Sequence, residues 1–206
     1  PNPIDGVLAG IKAAGVALKD VVLFAHGSGS GRLSPRNQFV ARALNRAGLG
    51  TLLFDLLTPA EDNSGPRSLR FNIDLLASRL VGATDWVVNA PETRGLRIGY
   101  FGASTGAAAA LVAAAQRPTV VGAVVSRGGR PDLAQHSLGW VEAPTRLVVG
   151  SDDHEVLKLN EWALARLRDS DLVVVRGATH LFEEPGALKE VAGLAAVWFS
   201  RHLLGM

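Results

Sequence analysis

The chain has 206 residues, with 21 Lys and Arg against 19 Asp and Glu, a formal net charge of +2, and a hydrophobic share of 48%. That composition describes an ordinary globule, and the length suits one domain over 1–206 with a sizeable core. The basic residues are nearly all arginine and scattered, so no stripe tracks nucleic acid. No apolar run reaches the length of a membrane span, and zero cysteines exclude disulfides, thiolate metal sites and a cysteine nucleophile.

Residues 1–20 are weakly patterned, with Gly6, Gly10 and Gly15 interrupting any helix, and read as short strand fragments or a loose edge. Pro1-Asn2-Pro3 lacks the basic-then-apolar opening of a signal peptide, and the expected location is cytoplasmic. Residues 21–25 form a continuous apolar run, as in a strand buried on both faces of a parallel sheet. They enter the glycine-rich loop His26-Gly27-Ser28-Gly29-Ser30-Gly31. An amphipathic helix is predicted over 37–47, with Gly48 as its C-terminal stop, and a second buried strand over 51–57. A polar loop at 58–67 precedes a long helix over 69–89.

Residues 97–101 read as a strand that runs into Gly102-Ala103-Ser104-Thr105-Gly106 and an alanine-rich helix ending at Gln116, before Arg117-Pro118. Strands are predicted at 119–125, 145–149 and 172–175, and helices at 156–167 and 186–203. Strands alternating with helices imply a doubly wound, mostly parallel sheet in a three-layer α/β/α domain. Ligands in such sheets bind beyond the carboxyl ends of the strands. The 26–31 loop, Ser104, the Arg127–Arg130 stretch, Asp152-Asp153 and His180 all leave strands at that end.

Gly102-x-Ser104-x-Gly106 on a strand-to-helix turn holds a serine hydroxyl clear of the sheet, with a helix N-terminus beneath it. A serine needs a base to take its proton, and that base needs an acid to orient it. His180, just after the last strand, is the candidate base. Asp153 is the candidate acid, with Asp152 as the alternative, since only one of two adjacent aspartates can face the histidine. Two backbone donors are needed for the oxyanion: Thr105, which follows the nucleophile, and Ser28 or Gly29 in the earlier loop, with Ser28 preferred. His26 reads as a brace for that loop. Arg127 and Arg130 flank two glycines at the same edge and are candidate binders of an acidic substrate group, against the plainer reading that they pair with Asp132 or a neighbouring carboxylate.

The stretches "FAHGSGS", "SPRNQFVARALNRAGLGTLLFDLLT", "GASTGAAAAL", "SRGGRPDL", "VVGSDDHEVLKLN" and "GATHLFEEPG" resemble the α/β-hydrolase superfamily, specifically its small, lidless, dienelactone-hydrolase-like members. The likeness runs from Val21 to near the end of the chain. It implies an α/β-hydrolase fold without a cap domain, with Ser104, Asp153 and His180 as the triad. True dienelactone hydrolases carry a cysteine where Ser104 stands, and their N-terminal strands are weak or missing here. The short spacing between 119–125 and 145–149 leaves room for one small helix. The expected activity is carboxylesterase-like cleavage of small, accessible esters or lactones, without cofactor or metal, and without nucleic-acid or membrane partners. The alternative is a catalytically silent hydrolase-fold binding protein. A dinucleotide-binding reading of the 27–31 glycines fails because Arg32 stands where a third glycine is wanted.

Overall fold

The structure, a computed structural model, describes residues 20–63 and 65–205; the strand fragments or loose edge expected over 1–20 lie outside them, apart from Asp20. Six strands, β1 (Asp20–Ala25), β2 (Gly50–Leu53), β3 (Arg97–Ala103), β4 (Val121–Arg127), β5 (Thr145–Gly150) and β6 (Ser170–Val175), form one sheet in the order β2-β1-β3-β4-β5-β6. Every neighbouring pair is parallel. Strand order reverses at β1, with β2 on one side and β3 on the other, so the loops leaving β1 and β3 open at the topological switch point.

Apolar residues on both strand faces demand cover on both sides. The helices α1 (Pro35–Arg46) and α6 (Ala187–Phe199) bury Val40, Leu44, Val191 and Phe199 against Val22, Phe24, Phe101 and Val125. On the opposite face α3 (Ile73–Asn89), α4 (Thr105–Gln116) and α5 (His154–Leu164) cover Val21, Leu23, Tyr100 and Leu147. Ten of the twelve residues of α4, Thr105 through Ala114, are buried. Its alanines explain this, because small side chains let the helix lie close to the sheet and to α3. Gly99 does the same on the other face, where a Cβ would press into the Phe199 ring at 2.7 Å. The Tyr100 hydroxyl donates to Thr84 Oγ1 at 2.6 Å, and burial pushes its pKa up to about 12.

Several predicted boundaries shift for local reasons. The long helix expected over 69–89 divides: Arg67–Phe71 is a 3₁₀ turn, and α3 begins where the Asn72 side chain accepts the Leu75 N–H at 3.1 Å. Phe71 is consequently exposed. The loop expected at 58–67 contains a short helix, α2 (Pro59–Asn63). It is closed by a capping box in which Thr58 Oγ1 accepts the Glu61 N–H at 3.2 Å and Glu61 Oε2 accepts the Thr58 N–H at 2.8 Å. The signal Thr58-Pro59-Ala60-Glu61 stands in the sequence, with proline at the favoured first helical position. Between β4 and β5 lie only the 3₁₀ turns Pro131–Ala134 and Leu138–Trp140, so no cap domain is inserted there among the described residues. No described helix is long and apolar enough to cross a membrane.

Candidate active site

Ser104 sits between β3 and α4 with φ 51° and ψ −120°, one of two described non-glycine residues with positive φ. The turn is fixed by neighbours on both sides. The Ser104 N–H donates to the Arg127 carbonyl at 3.2 Å, and its own carbonyl accepts from Ala107 and Arg130. A Cβ on Gly102 would overlap Ala107, and one on Gly106 would overlap the carbonyl oxygens of Ala25 and His26. These contacts are with backbone, which cannot swing aside. The Gly106→Ala variant is therefore expected to lose about 3 kcal/mol of stability. That corresponds to about 10 °C in Tm for a domain of this size, read by thermal unfolding.

The same edge brings the acid and base together. His180 Nε2 lies 3.3 Å from Ser104 Oγ, and His180 Nδ1 lies 2.6 Å from Asp153 Oδ2. An ionised carboxylate can only accept, so Nδ1 carries the proton and Nε2 is left free to accept from the serine. Asp153 is mostly buried while His180 is partly open. Asp152 is turned elsewhere, with its Oδ1 accepting from Ser151 Oγ at 2.7 Å. Gly150 allows the acid and base loops to touch, since a Cβ there would overlap the Ala178 carbonyl. Gly128 adopts φ 52°, and a Cβ there would lie 3.4 Å from His180 Nδ1.

The loop after β1 approaches the serine through Gly27, whose missing Cβ would lie 3.1 Å from Ser104 Cβ. The Ser28 N–H, expected to face an oxyanion, donates instead to Thr105 Oγ1 at 3.0 Å. The two residues named as oxyanion donors are thus adjacent but engaged with one another. Gly29 adopts φ 70° in the same loop. His26 braces it from below: Nδ1 donates to the Gly27 carbonyl at 3.0 Å, and Nε2 accepts the Leu56 N–H at 2.9 Å. Burial lowers the His26 pKa from its usual 6.5, outweighing the Gly27 bond and the Asp62 charge that raise it. The unfolded chain therefore takes the proton first, and stability rises with pH between the lowered folded value and about 6.5. Urea midpoints should fall as pH drops below about 6.5, with a smaller fall in His26→Gln, which lacks that titration.

The two candidate arginines part company. Arg130 forms a two-pronged ion pair with Asp132, at 2.8 and 2.7 Å, which is the plainer of the two readings. Arg127 is only 8% exposed, and its Nε and Nη1 have no hydrogen-bond partner among the described residues. Burial, and then the charge of Arg36, depress its pKa to about 10. Arg36 was not a site candidate; it lies one residue ahead of the helix predicted over 37–47, and in the structure it falls in the first turn of α1. Asn160, also unnoticed, holds the 128–130 turn by donating to the Gly129 carbonyl at 3.0 Å. Asp55 is engaged by the Arg32 backbone N–H at 2.7 Å and by the Arg32 guanidinium. Among the described residues no three His, Asp or Glu side chains converge as metal ligands.

A parallel sheet whose switch point carries a serine turn, with the acid and base supplied by later loops, defines the α/β-hydrolase class. No protein-family model matches the chain. A solved dienelactone hydrolase from Anabaena variabilis shares 60% identity and superposes with a TM-score of 0.88, covering 90% of this chain and 87% of that one. The chain belongs to the α/β-hydrolase superfamily, as a dienelactone-hydrolase-like member. An α/β serine hydrolase homologue from Coxiella burnetii shares the fold at 19% identity, with a TM-score of 0.74 over 89% of this chain and 86% of that one. Two Mycobacterium tuberculosis proteins, from strains CDC 1551 / Oshkosh and H37Rv, are provisionally named phosphoribosyl transferase. Each is 58% identical over 188 residues, 91% of this chain but 42% of its own length. The chain therefore spans less than half of those relatives.

Proposed function

We propose that this chain is a serine hydrolase of carboxylesterase type, cleaving small, accessible esters or lactones through an acyl-enzyme on Ser104. The observation that carries this reading is the continuous relay from Ser104 Oγ to His180 Nε2 at 3.3 Å and from Nδ1 to Asp153 Oδ2 at 2.6 Å. His180 takes the serine proton as Oγ attacks the ester carbonyl, and Asp153 balances the imidazolium that forms. The tetrahedral oxyanion accepts from the Thr105 N–H and from the Ser28 N–H, which the Thr105 hydroxyl gives up as the substrate oxygen takes its place. His180 then passes its proton to the leaving alkoxide. Water, deprotonated by the same nitrogen, releases the acid. The edge has no cap among the described residues, which supports accessible esters over a deeply enclosed ligand.

The phosphoribosyl transferase name of the mycobacterial relatives belongs, in this reading, to the part of those longer proteins outside the shared stretch. The test is turnover of short-chain nitrophenyl esters before and after treatment with a fluorophosphonate. The expected result is hydrolysis that stops on treatment. Folded protein that neither turns over any ester nor takes up the probe would instead be a silent hydrolase-fold binding protein.

A further inference from the structure

Thr105 is 3% exposed, and its hydroxyl accepts the Ser28 N–H at 3.0 Å. That hydroxyl donates its own hydrogen to no group among the described residues. Buried polar hydrogens in native proteins are nearly always bonded, so this one calls for an acceptor. As the first residue of α4, Thr105 also has a backbone N–H with no acceptor inside the helix, and none elsewhere among the described residues. One residue therefore presents two waiting donors, its N–H and its O–H, with the Ser28 N–H alongside them.

Backbone contacts hold these donors beside the nucleophile. Gly106 brings the start of α4 against the carbonyl oxygens of Ala25 and His26, and a Cβ on Gly27 would lie 3.1 Å from Ser104 Cβ. Ser28 and Thr105 meet across that contact. The branched Cβ of threonine restricts χ1, which keeps Oγ1 in one place against the loop. A hydroxyl oxygen that accepts an N–H is also polarised, and its O–H becomes the stronger donor.

We propose that the Thr105 hydroxyl is itself a catalytic donor to the oxyanion, a third beside the Thr105 and Ser28 N–H groups. As Ser104 Oγ adds to the ester carbonyl, the carbonyl oxygen gains the negative charge. It enters between Ser28 and Thr105, takes over the Ser28 N–H and accepts the Thr105 O–H. One neutral hydrogen bond is exchanged for two to an anion, each roughly twice as strong. The uncharged carbonyl of the bound ester gains far less, so the hydroxyl acts on the transition state. The proposal rests on the serine-hydrolase reading and adds a side chain to its machinery. The contrary role is a plug that only occupies the Ser28 N–H, and it predicts the opposite sign on removal of the hydroxyl.

The experiment measures hydrolysis of a short-chain nitrophenyl ester, and inhibition by an alkyl trifluoromethyl ketone, in wild type, Thr105→Val and Thr105→Ser. Ser104 Oγ adds to the ketone carbon, its proton passes to His180, and the ketone oxygen becomes a stable counterpart of the oxyanion. Thr105→Val keeps the branched shape and loses the hydroxyl. It should lose about 10²-fold in kcat and about as much in ketone affinity. KM should change by about twofold or less, because the oxyanion forms in both acylation and deacylation. Thr105→Ser restores the hydroxyl and should bring both quantities to within about tenfold of wild type. The pH profile of kcat/KM, which reports the base, should not move in Thr105→Val, whereas a displaced triad would shift it. If Thr105→Val does not fold, Thr105→Ala carries the comparison. A variant without the hydroxyl that is as fast as wild type, or faster, overturns the proposal and makes the hydroxyl a plug. Thr105→Ser as slow as Thr105→Val overturns it as well, as does a loss of kcat with ketone affinity unchanged. Failure of the underlying reading looks different: wild type cleaves no ester, binds no ketone and leaves Ser104 unmodified by a fluorophosphonate, and the proposal falls with it.

Discussion

Turnover of a simple ester by the Ser104→Ala variant is expected to fall about 10⁶-fold in kcat while the fold is kept. The loss is this large because no other group can form the acyl-enzyme: the chain has no cysteine, and Ser104 Oγ is the hydroxyl placed 3.3 Å from His180 Nε2. Folding should survive because the turn is held by backbone bonds to Arg127, Ala107 and Arg130 and by the glycines around it. Removing Oγ disturbs none of these. Alanine tolerates φ 51° no worse than serine does, so the change is close to neutral for stability. Steady-state kinetics beside a thermal melt would separate the two effects.

The second large effect falls on the acid. Asp153→Asn should lower kcat about 10⁴-fold. An asparagine can donate to His180 Nδ1 through its amide, which would place the ring proton on Nε2, where it can no longer accept from the serine. Asp152→Asn should stay within about threefold of wild type, since the Asp152 carboxylate meets Ser151 rather than the imidazole. The pair of variants thus discriminates between adjacent residues of identical chemistry. Equal losses in both, or a larger loss at Asp152, would place the acid one residue earlier.

The sheet and the turn around Ser104 were readable because their signals are local and repetitive. Continuous apolar runs marked β1, β3, β4 and β5, and the glycine spacing around Ser104 marked a turn whose contacts turn out to be with backbone. Strand order was not readable, since nothing in 50–53 says that β2 pairs on the far side of β1. The short helix α2 was legible but overlooked: Thr58-Pro59-Ala60-Glu61 is a full capping box, hidden by reading proline and glycine as loop markers alone. The break at Asn72 illustrates the reverse case, in which an apolar pattern runs across a side-chain cap that interrupts it.

Within the site, chain order pointed to Ser104, an aspartate and His180, but the choice between Asp152 and Asp153 depends on the turn after β5, which only coordinates display. Two features had no sequence signal. The Thr105 hydroxyl on the Ser28 amide joins residues 77 positions apart. Arg36 stands one residue ahead of the predicted helix with no motif to mark it, and its charge acts on Arg127 only once the chain is folded.

The central claim is that the oxygen of residue 104 becomes covalently acylated during turnover. Rapid acid quench of the enzyme with a slowly deacylating ester, followed by peptide mapping, tests it directly. An acyl group is expected on the peptide bearing Ser104, formed in wild type and absent from Ser104→Ala. Sustained hydrolysis with the acyl group on another residue, or with no adduct and undiminished turnover in Ser104→Ala, would contradict it.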